Sequence, residues 1–86
     1  MNRSFEGKVV VVTGAGTGIG RAIALGFASA GARVAVTDVG QKLAEVTAQL
    51  IGDSGGDALA LEMDVTKPAM VQSTVSAVIE RWGQID

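Results

Sequence analysis

With 86 residues the chain lies below the usual domain size of about 100–150, so residues 1–86 read as one small domain or a portion of a larger one. Its 7 basic and 9 acidic side chains are scattered along the sequence, which argues against a nucleic-acid partner and against a membrane surface. It has no cysteine and no histidine, which excludes a disulfide framework, a thiolate or imidazole metal site and a histidine base; a cytoplasmic, reducing location and no bound metal are the expectation.

The run Lys8 to Thr13, filled by four valines, predicts a parallel strand buried on both faces. It is too short for a signal-peptide core or a membrane span. From Ile19 the period changes: Ile19, Ile23, Phe27 and Ala30 recur at helical spacing, with Ala22 and Gly26 beside them, and Gly31 marks the stop. Arg33 to Asp38 is the second strand. Leu43, Val46, Leu50 and Ile51 mark a second amphipathic helix, which gives way to the turn-rich segment Gly52 to Asp57. Ala58 to Met63 is the third strand. Pro68 falls in the first turn of a third helix with the apolar stripe Val71, Val75, Val78, Ile79 and Trp82, and Gly83 ends it. Gln84, Ile85 and Asp86 read as the approach to a fourth strand. This alternation predicts an α/β fold with a parallel sheet in the order 3-2-1, helices packed on it through right-handed crossovers. The first strand is then an edge, from which self-association is expected.

Four glycines, at 14, 16, 18 and 20, lie between the first strand and the first helix. A helix N-terminus offers free N–H groups and the positive end of a dipole, and side chains there would hold a diphosphate away from those donors. Gly14 is therefore read as the tight turn, Gly18 as the point of diphosphate approach, and Gly20 as the place where the helix lies close to its strand. A strict G-x-G-x-x-G does not fit; T-G-x-x-x-G-x-G, Thr13 to Gly20, does. A phosphate-binding P-loop would need lysine and then serine or threonine where Arg21 and Ala22 stand.

Asp38 ends the second strand about twenty residues beyond the glycines, the position from which an acid accepts hydrogen bonds from the adenosine ribose and repels a 2′-phosphate. Val39 follows where a phosphate-binding site would want a basic side chain. Together they predict NAD in preference to NADP. The plain alternative for Asp38 is a surface acid at a strand end.

The stretch VVVVTGAGTGIGRAIALGFASAGARVAVTD, with LEMDV further on, resembles the N-terminal half of a classical short-chain dehydrogenase/reductase, from about Phe5 to the end of the chain. The resemblance implies a Rossmann-type sheet, the N-terminal βαβαβα half of a doubly wound fold, truncated before the fourth strand. It also implies Thr17, Gly18 and Ile19 near the cofactor diphosphate and ribose, Asp64 on the adenine amino group, and the Val65 backbone on the adenine ring. For Asp64 a helix-capping acid is the alternative. Family members continue with an Asn-Asn-Ala-Gly segment, a catalytic serine and a Tyr-x-x-x-Lys motif. The chain contains no tyrosine, so no catalytic residue is assigned. Two functions stay open. One is the NAD-binding part of an oxidoreductase whose full-length parent transfers hydride to or from an alcohol or carbonyl substrate; the other is a stand-alone dinucleotide-binding or regulatory module without catalysis.

Overall fold

In the computed structural model, which describes residues 4–86, the elements run β1 (Val9–Val12), α1 (Gly18–Ser29), β2 (Arg33–Asp38), α2 (Gln41–Asp53), β3 (Asp57–Glu62) and α3 (Pro68–Trp82). The strands form one parallel sheet in the order β1-β2-β3, with Val9 opposite Arg33 and Arg33 opposite Asp57. The central strand β2 carries the valine and alanine run Val34, Ala35 and Val36, all fully buried, because both of its faces are covered. Successive side chains point to opposite faces. On one face Val12, Val34 and Val36 meet Ala24 of α1 and Ala44 and Ile51 of α2. On the other, Val9 and Ala35 meet Val78 of α3, with Trp82 packed beside them.

Element boundaries differ from the sequence expectation by a residue or two. The first strand loses Lys8 and Thr13, the second helix continues through Asp53, and the third strand starts at Asp57 and ends at Glu62. The helical faces differ more. In α1 the buried residue is Ala24, while Ile23 is exposed; in α2 the buried positions are Ala44, Thr47 and Ile51, and Leu43, Val46 and Leu50 lie outside. In α3 Thr74 and Val78 are buried and Val75 and Ile79 are not. The small residues Ala24 and Ala44 take the closest contacts of α1 and α2 with the sheet; of the expected stripes Ile51 and Val78 are fully buried in the core and Phe27 packs against it, while Ile23, Leu43, Val46, Leu50, Val75 and Ile79 lie further out.

Gln84 and Asp86 lie against the outer edge of β1. The Asp86 amide donates to the Val9 carbonyl at 2.7 Å, the Val9 amide donates to the Asp86 carboxylate at 2.9 Å, and the Gln84 amide group donates to the Gly7 carbonyl. The edge is thus covered at Val9, on the side opposite β2. No helix among the described residues is long and apolar enough to cross a membrane.

Candidate functional site

The parallel arrangement brings the carboxyl ends of all three strands to one side of the molecule, where an open α/β sheet places its ligands. β1 leads there into the glycine-rich loop. Gly14 (φ 62°) and Gly18 (φ 57°) both occupy the left-handed region, which glycine enters without steric cost. A Cβ built on Gly18 meets nothing within 4 Å, so this residue faces open space. Gly20 is the opposite case: a Cβ there would fall on the Gly14 carbonyl group, 2.6 Å from its carbon. α1 can therefore start against the turn only because residue 20 has no side chain.

Thr17 is the N-cap of α1 in extended conformation, and its hydroxyl makes no capping bond. The first bond across this helix start runs from the Arg21 amide to the Thr17 carbonyl at 3.2 Å, so the preceding amides of Gly18, Ile19 and Gly20 have no helical partner. These are the donors that an anion would use.

Asp38 sits at the end of β2 with 9% of its surface exposed. Its Oδ2 accepts the Gly16 amide at 2.9 Å and its Oδ1 the Gly40 amide at 3.0 Å. These amides, Gly40 first and then Gly16, hold the carboxyl below the usual carboxylate range, and burial opposes them. A carboxyl with a depressed folded pKa stabilises the fold above its unfolded value of about 3.9 and loses that contribution as pH falls through the folded value. Loop order is accordingly expected to hold from neutral pH to about pH 4 and to fail below it, with Asp38→Asn removing the Asp38 part of that acid transition. Amide exchange at Gly16 and Gly40 measured across this range checks the expectation; equal acid sensitivity in the variant would contradict it.

Beyond β3, the Met63 amide donates to the Asp38 carbonyl at 2.8 Å, which sets the Asp64 turn beside the end of β2. The Asp64 Oδ1 accepts both the amide and the hydroxyl of Thr66, at 2.9 and 2.6 Å, and these bonds lower its pKa, the hydroxyl most. Asp64 thus shapes the turn ahead of α3, whose N-cap is Lys67. Its Oδ2 has no partner among the described residues.

Ile19, Val39 and Val65 are 81%, 68% and 61% exposed, and no other large hydrophobic among the described residues exceeds 48%. One follows each strand, on the same side as the glycine loop.

Four contributors to this geometry were not assigned by sequence reasoning. Gly16 has no room for a side chain, since a Cβ would lie 2.6 Å from that of Leu43 and 2.8 Å from the Asp38 carboxylate. Gly40 supplies an amide. Arg21 donates to the Gly16 carbonyl and to Thr47, and Thr47 donates to the Ala15 carbonyl. The available signal was Thr47 itself, a polar residue three positions from Ala44 and four from Ile51 on the buried face of α2. A cleft of about 620 Å³ lies at the other end of the sheet, between Gly7, Gly31 and Asp57, away from all these groups.

The model of the short chain dehydrogenase family matches residues 8–86. The chain belongs to that family. It is 41% identical over 83 residues to an uncharacterized oxidoreductase of Thermotoga maritima, covering 96% of this chain and 32% of that protein. It is also 41% identical over 82 residues to a sorbitol dehydrogenase of Cereibacter sphaeroides, covering 95% and 31% respectively. Among solved structures, the Escherichia coli hydroxysteroid dehydrogenase superposes with a TM-score of 0.93 at 36% identity, over 95% of this chain and 34% of that one. A short-chain type dehydrogenase/reductase from Mycobacterium marinum gives a TM-score of 0.91 at 40% identity, over 95% and 32%. The chain spans about a third of the length of the relatives it matches. Its three parallel strands and three helices are Rossmann-like, as in these short-chain dehydrogenases.

Proposed function

We propose that residues 1–86 hold the adenosine and diphosphate portion of NAD for an oxidoreductase acting on an alcohol or carbonyl substrate. The observation that carries this reading is the coincidence, at one end of the sheet, of open first-turn amides, a buried carboxylate and the three most exposed large apolar side chains of the described residues. A ligand combining an anion, a hydroxylated sugar and a flat apolar ring matches all three. Gly14, Thr17, Gly18, Ile19 and Gly20 would receive the diphosphate and adjoining ribose, Asp38 the adenosine ribose with Val39 beside it, and Asp64 and Val65 the adenine. Hydride transfer is the chemistry that the nicotinamide supplies when bound.

The chain's own residues bind and orient. The Asp38 carboxylate is ionised at neutral pH, and each oxygen keeps a lone pair beyond the amide it already accepts. It therefore accepts from ribose hydroxyls and repels a 2′-phosphate. NAD is expected to bind more tightly than NADP, and Asp38→Ala to weaken NAD by about 1.5–3 kcal/mol, the scale of a hydrogen bond to a charged group. Calorimetric titration of both cofactors tests this; equal or tighter NADP binding would sink it. Relatives described as sorbitol and D-threitol dehydrogenases support an alcohol as the substrate class. A cytoplasmic setting fits the absence of cysteine and of a membrane-spanning helix among the described residues.

The β1 edge supports self-association of the chain, through the Val11 amide and carbonyl that alternation turns to the same side as those of Val9. Sedimentation velocity is expected to show concentration-dependent dimers. A monomer at every concentration would exclude that use of the edge.

A further inference from the structure

Arg21 is a partly buried cation with no carboxylate beside it among the described residues. Its guanidinium points instead into the back of the glycine-rich loop. Nε donates to the Thr47 hydroxyl at 2.9 Å, and that hydroxyl, fully buried, donates to the Ala15 carbonyl at 2.8 Å. The Ala15 carbonyl belongs to the same peptide group as the Gly16 amide, which donates to Asp38 Oδ2 at 2.9 Å. A continuous line of hydrogen bonds thus runs from a cation, through a hydroxyl and one peptide group, to the carboxylate. The second arm of Arg21 holds the next carbonyl, that of Gly16. Every donor in the line faces the right way, so each bond polarises the next, and the Gly16 amide becomes a stronger donor than an isolated one. The line also fixes a distance: α1 carries Arg21, α2 carries Thr47, and the loop is held between them at a set height over the end of β2.

We infer that Arg21 and Thr47 are positioning residues that hold the Ala15–Gly16 peptide against Asp38, and that this placement sets the discrimination between the two dinucleotides. The inference rests on the reading of Asp38 as the ribose acceptor. With the line intact, one carboxylate oxygen is anchored and the carboxylate is aimed. With the line cut, the loop and the carboxylate move independently, and the cofactor that depends on the aimed carboxylate loses more than the one it repels.

Thr47→Val cuts the line at its centre with little change in volume, and Arg21→Met removes the cation. In the 86-residue chain, each is expected to raise the NAD dissociation constant about tenfold while moving that of NADP by less than about twofold. Thr47→Ser, which restores the hydroxyl, should restore the ratio. A purely structural role would lower the melting temperature and weaken both cofactors alike. The second readout needs no cofactor: the Asp38 carboxyl, followed by carbon NMR against pH, should titrate at higher pH in Thr47→Val and Arg21→Met than in the parent. Should Asp38→Ala leave the NAD to NADP ratio unchanged, the ribose reading fails and takes the discrimination claim with it, and the titration alone then decides the positioning claim. A folded Thr47→Val protein with an unmoved Asp38 titration, or with an unchanged ratio while Asp38→Ala alters it, overturns the inference.

Discussion

Replacing Gly18 by valine is expected to abolish dinucleotide binding while leaving a folded chain. The residue sits at φ 57°, where an L side chain costs about 1–2 kcal/mol, and beyond its chain neighbours and its own helix no atom of the described residues lies within 4 Å of the added Cβ. The fold therefore loses only the backbone term. On the proposed reading, in which a diphosphate reaches the first-turn amides of α1 past residue 18, the two γ-methyls of valine would stand in its way. Calorimetry should find no heat of NAD binding above background, while circular dichroism retains the helical signal and the melting temperature falls modestly. Native affinity in the folded variant would remove this loop from the site.

Gly20 carries the larger penalty to the fold itself. A Cβ at this position collides with the Gly14 carbonyl, a backbone group that cannot rotate away as a side chain would. Gly20→Ala must push α1 off the turn or distort the turn, with an expected loss of about 3 kcal/mol, the upper range for overpacking. For a chain this short, which buries only about 60% of its unfolded surface, that is a large part of the total stability. Thermal or urea unfolding measures it. A variant melting within a few degrees of the parent would show that helix and turn are not locked together. The contrast between Gly18→Val and Gly20→Ala, one failing in binding and the other in folding, separates two glycines that look equivalent in the sequence.

The alternation of strands and helices was legible because the two periods are physically distinct: β-branched runs for strands buried on both faces, and a three-to-four spacing for helices against them. The positions of Gly14, Gly18 and Asp38 at one end of the sheet follow from the same pattern, since parallel strands must all point one way. The orientation of each helix did not follow. Ile19, Ile23, Leu43 and Val46 are conspicuous apolar residues that stay exposed, while the sheet is met by Ala24, Ala44 and Ile51, because close packing selects side chains that fit the gap and not simply those with the most surface to hide.

By itself the sequence determined the type and order of the elements, the parallel sheet and the presence of a glycine-rich turn before a helix, all of which depend on local spacing and residue type. Only the tertiary structure decided that Gly20 faces the Gly14 carbonyl, that the Gly16 amide reaches Asp38 across 22 residues, and that Arg21 and Thr47, 26 residues apart, meet behind the loop. A hydrogen bond depends on distance and direction, and for residues on different elements both are set by how α1 and α2 settle against β1 and β2, which no local pattern encodes.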